Sequence, residues 1–300
     1  MAYRLKRKEP LLEGIRRIAH EQIGVMVGEL VETPDLHEAV HLFRKRCKRM
    51  RAMLRLVRPV LGKTFAYENA WYREAARGFA ACRDAEALLE TLKKFETREA
   101  GLSTNPEFQR IRHILEGQRD QALQQEDIDL PARLAKQVED LKHAQARIAD
   151  WQLASSREAD LRAGFVESYR RGKAAFRVAK RERCNEAYHE WRKRVKDLGY
   201  QLHLLEGLWK PVVHVYRLEA EVLGELLGDD HDLAVLELHL ETWKRENRGQ
   251  IHFSEWQARC TDRRRELQQL AEQQGQRLFC EKPGALEQRL SACWKCWRGS

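Results

Sequence analysis

Three short stretches hold residue types that could do chemistry. His37-Glu38-Ala39-Val40-His41 has the spacing of a zinc-peptidase helix, two imidazoles at i and i+4 with a glutamate beside the first. Cys293-Trp294-Lys295-Cys296 has redox or zinc spacing, but no second pair lies near it. Asp229-Asp230-His231-Asp232 gathers acids and an imidazole as a metal cluster would. Beside these stands a purely electrostatic alternative. Between His41 and Arg58 the chain carries eight cations, Arg44, Lys45, Arg46, Lys48, Arg49, Arg51, Arg55 and Arg58, and no acid. There is no glycine-rich phosphate loop, serine nucleophile elbow or carboxylate set suited to Mg²⁺, which argues against an enzyme.

The cationic run needs a scaffold, and its own sequence supplies one. Val40, Phe43, Cys47, Met50, Leu54 and Val57 recur at spacings of three and four, the buried seam of a helix. One residue on from the seam, His41, Arg44, Lys48, Arg51 and Arg55 follow the same period. A row of cations about 5–6 Å apart along a rigid helix suits an extended polyanion. Asp35 is placed to cap the start of this helix and Pro59 to end it. His41 heads the row, where a neutral imidazole could donate to a phosphate or lock helix packing. Periodicity leaves the orientation of Lys45 and Arg46 open. The plain alternative for the whole run is a solubilising face.

A shift of 148 residues repeats the pattern. Glu38, Ala39, His41, Arg44, Lys45, Arg46, Lys48, Leu54 and Leu56 fall on identical residues at 186–204, including His189, Arg192, Lys193, Arg194 and Lys196. The seam returns as Tyr188, Trp191, Val195, Leu198, Leu202 and Leu205. Asp84, Leu88 and Leu92 fall on Asp232, Leu236 and Leu240 in the same register. Asn185 stands where His37 stood, so the repeat keeps Glu38 and His41 but loses one metal ligand. Asp84 and Asp232 each precede an apolar run and are expected to cap helices, or else to orient an Arg or His of the cationic helix. Asp229 to Asp232 is expected to be a capping loop, because its counterpart Ala81-Cys82-Arg83-Asp84 is no metal set. The chain reads as two copies of one helical unit, 1–155 and 156–280, with 281–300 a tail that docks by its aromatics or frays.

Composition agrees with a helical reading. Hydrophobic content of 43% supports a sizeable core, and sparse Gly and Pro disfavour an all-β fold. A net charge of +9 points to an anionic partner: nucleic acid, anionic membrane or a polyphosphorylated ligand. No apolar run reaches membrane-span length, and MAYRLKRKEP is not a secretory leader. Seven scattered cysteines suggest free thiols in a reducing cytoplasm. Helices are expected at 11–31, 64–82, 85–96, 107–126, 132–155, 212–227, 232–248 and 253–274, besides the two basic ones.

Taken together, the two basic helices, the opening Tyr3-Arg4-Leu5…Glu9-Pro10…Gly14-Ile15-Arg16-Arg17, Ser168-Tyr169-Arg170-Arg171-Gly172-Lys173 and Leu227-Gly228-Asp229-Asp230-His231-Asp232-Leu233 resemble the CHAD domain, the conserved histidine α-helical domain. The resemblance implies an all-α fold of two four-helix bundles related by a pseudo-twofold axis, with basic helices facing a shared surface. It implies non-enzymatic binding of inorganic polyphosphate without cofactor or metal, in the cytoplasm and at polyphosphate granules. Carried over residue by residue, the ligand set is His41, Arg44, Lys45, Arg46, Lys48 and Arg51 from the first basic helix and His189, Arg192, Lys193, Arg194 and Lys196 from the second. Arg4, Lys6, Arg7, Arg16 and Arg17 belong to the first opening segment, and Arg170, Arg171, Lys173 and Arg177 to the second. Asp197 and Gly199 replace Arg49 and Arg51, so the second copy is less basic past Lys196. The rival readings are a nucleic-acid-binding helical protein and a metal-dependent enzyme using His37, Glu38 and His41.

Overall fold

A few local devices set the helix boundaries. The computed structural model describes residues 3–79, 81–98, 101, 104–126, 129–154, 158–246 and 254–299, and among these every regular element is helical. Helix α1 (Leu11–Glu32) turns at Thr33-Pro34 into α2 (Leu36–Leu56). Asp35 caps α2, its carboxylate accepting from the His37 and Glu38 amides at 2.9 and 3.2 Å. The seam Val40, Phe43, Cys47, Met50 and Leu54 is fully buried. Pro59 follows in the first turn of α3 (Arg58–Arg77), where a missing N–H is harmless. Gly62, at φ 56°, kinks α3 just after that turn.

Helices α4 (Ala81–Arg98), α5 (Pro106–Glu126) and α6 (Leu130–Arg147) complete the first half; a 3-10 turn at Ile148–Asp150 ends α6 sooner than its sequence period suggests. Helices α7 (Glu158–Glu182), α8 (Asn185–Leu205), α9 (Lys210–Glu246), α10 (Ser254–Leu278) and α11 (Pro283–Gly299) follow. The second seam, Tyr188, Trp191, Val195, Leu198, Leu202 and Leu205, is buried like the first. In α11, Trp294 is buried, and Arg298 donates to the Glu9 carbonyl at 3.0 Å, tying the C-terminal helix to the N-terminal segment. Leu5 N–H in turn bonds the Leu204 carbonyl at 3.1 Å.

The apolar residues gather into two clusters. The larger draws on α1, α2, α3, α6, α7, α8, α11, the first half of α9 and the end of α10, through Ala271 and Leu278. The smaller joins Leu92 and Phe95 of α4, Phe108 and Ile111 of α5, Leu236 and Leu240 of α9, and Trp256 and Leu267 of α10. Two helices, α9 and α10, therefore feed both clusters.

Helix α9 departs from the sequence expectation. Two helices at 212–227 and 232–248 around a capping loop are replaced by one helix of 37 residues. Asp232 caps nothing; it lies inside α9. Asp84 likewise lies inside α4, which begins at Ala81, and its side chain falls outside the described residues. The apolar period does not break at 228–232: Ala220, Leu223, Leu227, Leu233, Leu236 and Leu240 are all buried. Asp230 is buried on the same side and accepts from Arg264 and Gln268 at 3.1 and 3.0 Å. Gly224 has another purpose. A Cβ on Gly224 would come 3.1 Å from Lys196 Cε, and one on Gly228 would come 3.6 Å from the Arg192 guanidinium. Gly224 makes room for Lys196 of α8, while at Gly228 a Cβ would make ordinary contact with Arg192.

Among the described residues no helix is long and apolar enough to cross a membrane.

Candidate anion-binding site

Helices α2 and α8 pack directly on each other, so the two basic edges meet. At their contact the fully buried Gln201 donates to the Ala52 carbonyl at 2.9 Å, and Arg55 pairs with Asp197 at 2.6 Å. Toward the N-terminal ends, Arg44, Lys45 and Lys48 of α2 come together with Arg192 and Lys196 of α8. Among the described residues no carboxylate lies within 4 Å of Lys45, Lys48 or Lys196. Lys48 keeps solvent contact yet is crowded by protein groups, as at the floor of an open trough. Loss of surrounding water, then repulsion from Arg192, Arg44 and Lys196, pulls its pKa from 10.5 down to about 8, with Asp232 opposing. Lys196 is lowered in the same way, by burial and then by Arg192, with Glu225 and Glu221 of α9 opposing.

Two imidazoles close one end of this trough. The rings of His189 and His231 lie 4.3 Å apart, centre to centre. Burial, then Lys193 and Arg192, lowers the pKa of His189; burial, then Arg192, His189 and Lys48, brings His231 to about 4. Both are neutral at pH 7. Asp232 reaches Arg192 at 4.0 Å, so the ion-pairing role, not the capping one, is what the fold gives it. Its carboxyl is raised by burial against the pull of Arg192 and Lys94. Among the described residues, Arg192 Nε and His189 Nδ1 at this site are buried without a hydrogen-bond partner. A guanidinium N–H without an acceptor, beside lysines that repel one another, suits an anion.

The depressed Lys48 pKa has a measurable consequence. Between about pH 8 and pH 10.5 the unfolded chain holds more protons than the folded one at this lysine, so free-protein stability gains from rising pH. Lys48→Met should melt higher than the parent at neutral pH, and the difference should shrink as pH rises through that window. Thermal melts in the absence of polyanion check this; a difference independent of pH would remove the assignment.

The other sequence-predicted cations are placed elsewhere. Arg16 donates to the Trp151 carbonyl at 3.1 Å. Arg17 bonds Glu9 at 2.6 Å, Glu21 at 3.1 Å and the Arg4 carbonyl at 3.0 Å. Arg46 turns to α1 and grips Glu29 at 2.7 Å, while Lys45 stays exposed on the trough side. Arg51 bonds Asn69 at 3.2 Å. Lys193 and Arg194 both pair with Glu190 of their own helix, Arg170 and Arg171 with Glu167, and Lys173 donates to the Glu281 carbonyl at 2.8 Å. Arg4, Lys6 and Arg177 are exposed; Arg7 and His41 are half-buried.

Sequence reasoning missed His231. The signal that would have found it is the unbroken apolar period across 220–240, which makes α9 continuous and turns His231 toward α8. Among the described residues no three His, Cys, Asp or Glu side chains gather as a metal site would require. Cys293 and Cys296 lie on α11 and are not joined in a disulfide.

No curated protein matches this chain. A sequence model of the CHAD domain does match it, over residues 14–241, which takes in both basic helices and most of α9. With that match spanning three quarters of an all-helical chain, the protein belongs to the CHAD domain family.

Proposed function

We propose that this protein is a non-enzymatic binding module for inorganic polyphosphate, held along the trough between α2 and α8. The observation that carries the reading is Lys48, an exposed lysine crowded by Arg44, Arg192 and Lys196 from two helices. Such an arrangement is unfavourable until an anion enters it. The family is linked to polyphosphate binding, which supports the same ligand. A linear polyphosphate offers about one charge per phosphate and no base edges, so it needs closely spaced cationic donors and little else. The reading includes a duplicated helical unit with pseudo-twofold symmetry. The 148-residue shift that superposes the basic motifs also carries Pro106, the start of α5, onto Ser254, the start of α10. A role in the cytoplasm at polyphosphate granules follows from the ligand.

Nucleic acid is the rival ligand, and the rings near the trough speak against it. Tyr3 is buried, and Arg49 covers one face of its ring at 4.6 Å and one face of the Tyr200 ring at 5.5 Å, which leaves little aromatic surface there for a base to stack on. The deciding measurement is competition: long-chain polyphosphate should resist displacement by single- or double-stranded DNA at equal phosphate concentration. Its affinity should also fall steeply with salt as counterions are released. Equal displacement by DNA would overturn the polyphosphate reading, and failure to bind polyphosphate at moderate salt would end it.

A further inference from the structure

A second basic cavity lies beside the trough. It has a volume of about 260 Å³ and is lined by one arginine from each of four helices: Arg55 of α2, Arg58 of α3, Arg171 of α7 and Arg194 of α8. On α2, Arg55 lies seven residues past Lys48, roughly 10 Å at 1.5 Å per residue. On α8, Arg194 is two residues from both Arg192 and Lys196, which at 3.6 residues per turn sets it about 200° round the helix from each. The cavity therefore adjoins the trough but opens on another side of α8.

Its charges do not balance. Each nearby carboxylate is shared by two cations. Asp197 holds Arg55 at 2.6 Å and reaches Arg194 at 3.9 Å. Glu167 holds both Arg170 and Arg171. Glu190, outside the cavity, is divided between Lys193 and Arg194. Arg58 is exposed, rests over the Phe65 ring at 5.3 Å, and among the described residues has no carboxylate within 4 Å. Four guanidiniums against two carboxylates leave a surplus of positive charge and of planar N–H donors, which suit phosphoryl oxygens in pairs. The space is below the range of drug-sized pockets, so the ligand is small.

We infer that this cavity is a second anion site, taking a compact phosphoanion of two or three phosphoryl groups. The end of a polyphosphate chain and a free nucleoside triphosphate both carry that chemistry. The site does not depend on the trough being the polyphosphate path.

Calorimetric titration separates the sites. In the trough variant Lys48→Glu/Lys196→Glu, tripolyphosphate should still bind at one per chain. Adding Arg58→Glu should weaken that binding at least tenfold, and Arg58→Gln by a smaller factor, with unchanged thermal melts. Binding of adenosine triphosphate to the trough variant marks the nucleotide source; binding of tripolyphosphate without the nucleotide marks a chain end. Loss of all tripolyphosphate binding in the trough variant overturns the inference, as does indifference to Arg58→Glu in that background. Failure of the parent to bind long-chain polyphosphate, with tripolyphosphate still held in the trough variant, sinks the proposed function and leaves this cavity standing.

Discussion

Lys48→Glu combined with Lys196→Glu will lower affinity for long-chain polyphosphate by about two orders of magnitude or more at moderate salt. Hydrogen bonds to a charged partner contribute about 1.5–3 kcal/mol each, and two such contacts are lost together. Repulsion of the phosphates by the new carboxylates adds to the loss. The slope of log affinity against log salt should become shallower by about two units, one for each phosphate no longer neutralised. The free protein should not suffer. Lys48 and Lys196 are both held below their ordinary pKa, by burial and by Arg192, so carboxylates there would exchange the repulsion of Arg192 for attraction, while Asp232 at one site and Glu225 and Glu221 at the other offset part of that gain. The double variant should melt close to the parent. Less than a threefold loss of affinity would place the ligand elsewhere. A melt well below the parent would show that the lysines stabilise the free fold.

Gly164→Ala will destabilise the fold by about 3 kcal/mol or more, the largest effect expected of any single methyl group here. A Cβ built on Gly164 would lie inside the contact radius of the Leu56 carbonyl oxygen and 2.9 Å from its carbon. Both partners are backbone, at the end of α2 and early in α7, so no side chain can swing aside. Leu56 is fully buried, and moving it would disturb the seam that aligns the cationic edge. The contrast is Gly24, in α1, whose added Cβ would meet nothing within 4 Å. Gly24→Ala should stabilise by about 0.5–1 kcal/mol through helix propensity alone. Urea denaturation of the two variants tests the pair; a Gly164→Ala protein as stable as its parent would mean that the helices can part without penalty.

The basic helices were legible because one period encodes both burial and register. In α2 the positions Val40, Phe43, Cys47, Met50 and Leu54 face the core, so Arg44 and Lys48 must lie at its edge. Lys45 and Arg46 were not legible, because their direction depends on a neighbour: Glu29 of α1 draws Arg46 away and leaves Lys45 behind. Arg16 and Arg17 look like ligand cations in sequence, yet they close the fold on a backbone carbonyl at Trp151 and a carboxylate at Glu9. A guanidinium reads the same whether its acceptor is a phosphate or a distant carbonyl. The break assumed at Gly228-Asp229 has the same origin. Glycine in a helix signals a stop only when the backbone must turn; at Gly224 it yields space to Lys196 of the neighbouring α8.

The run of α9, with α10 beside it, through both apolar clusters ties the two together. Its first half lends Ala220, Leu223 and Leu227 to the larger cluster and its second half lends Leu236 and Leu240 to the smaller. His231 and Asp232 sit where one cluster gives way to the other. Neither cluster can melt without pulling on that joint. A ligand that grips the joint therefore protects α4, α5 and α10, which it never touches, because whatever binds only the folded state stabilises every part that unfolds with it.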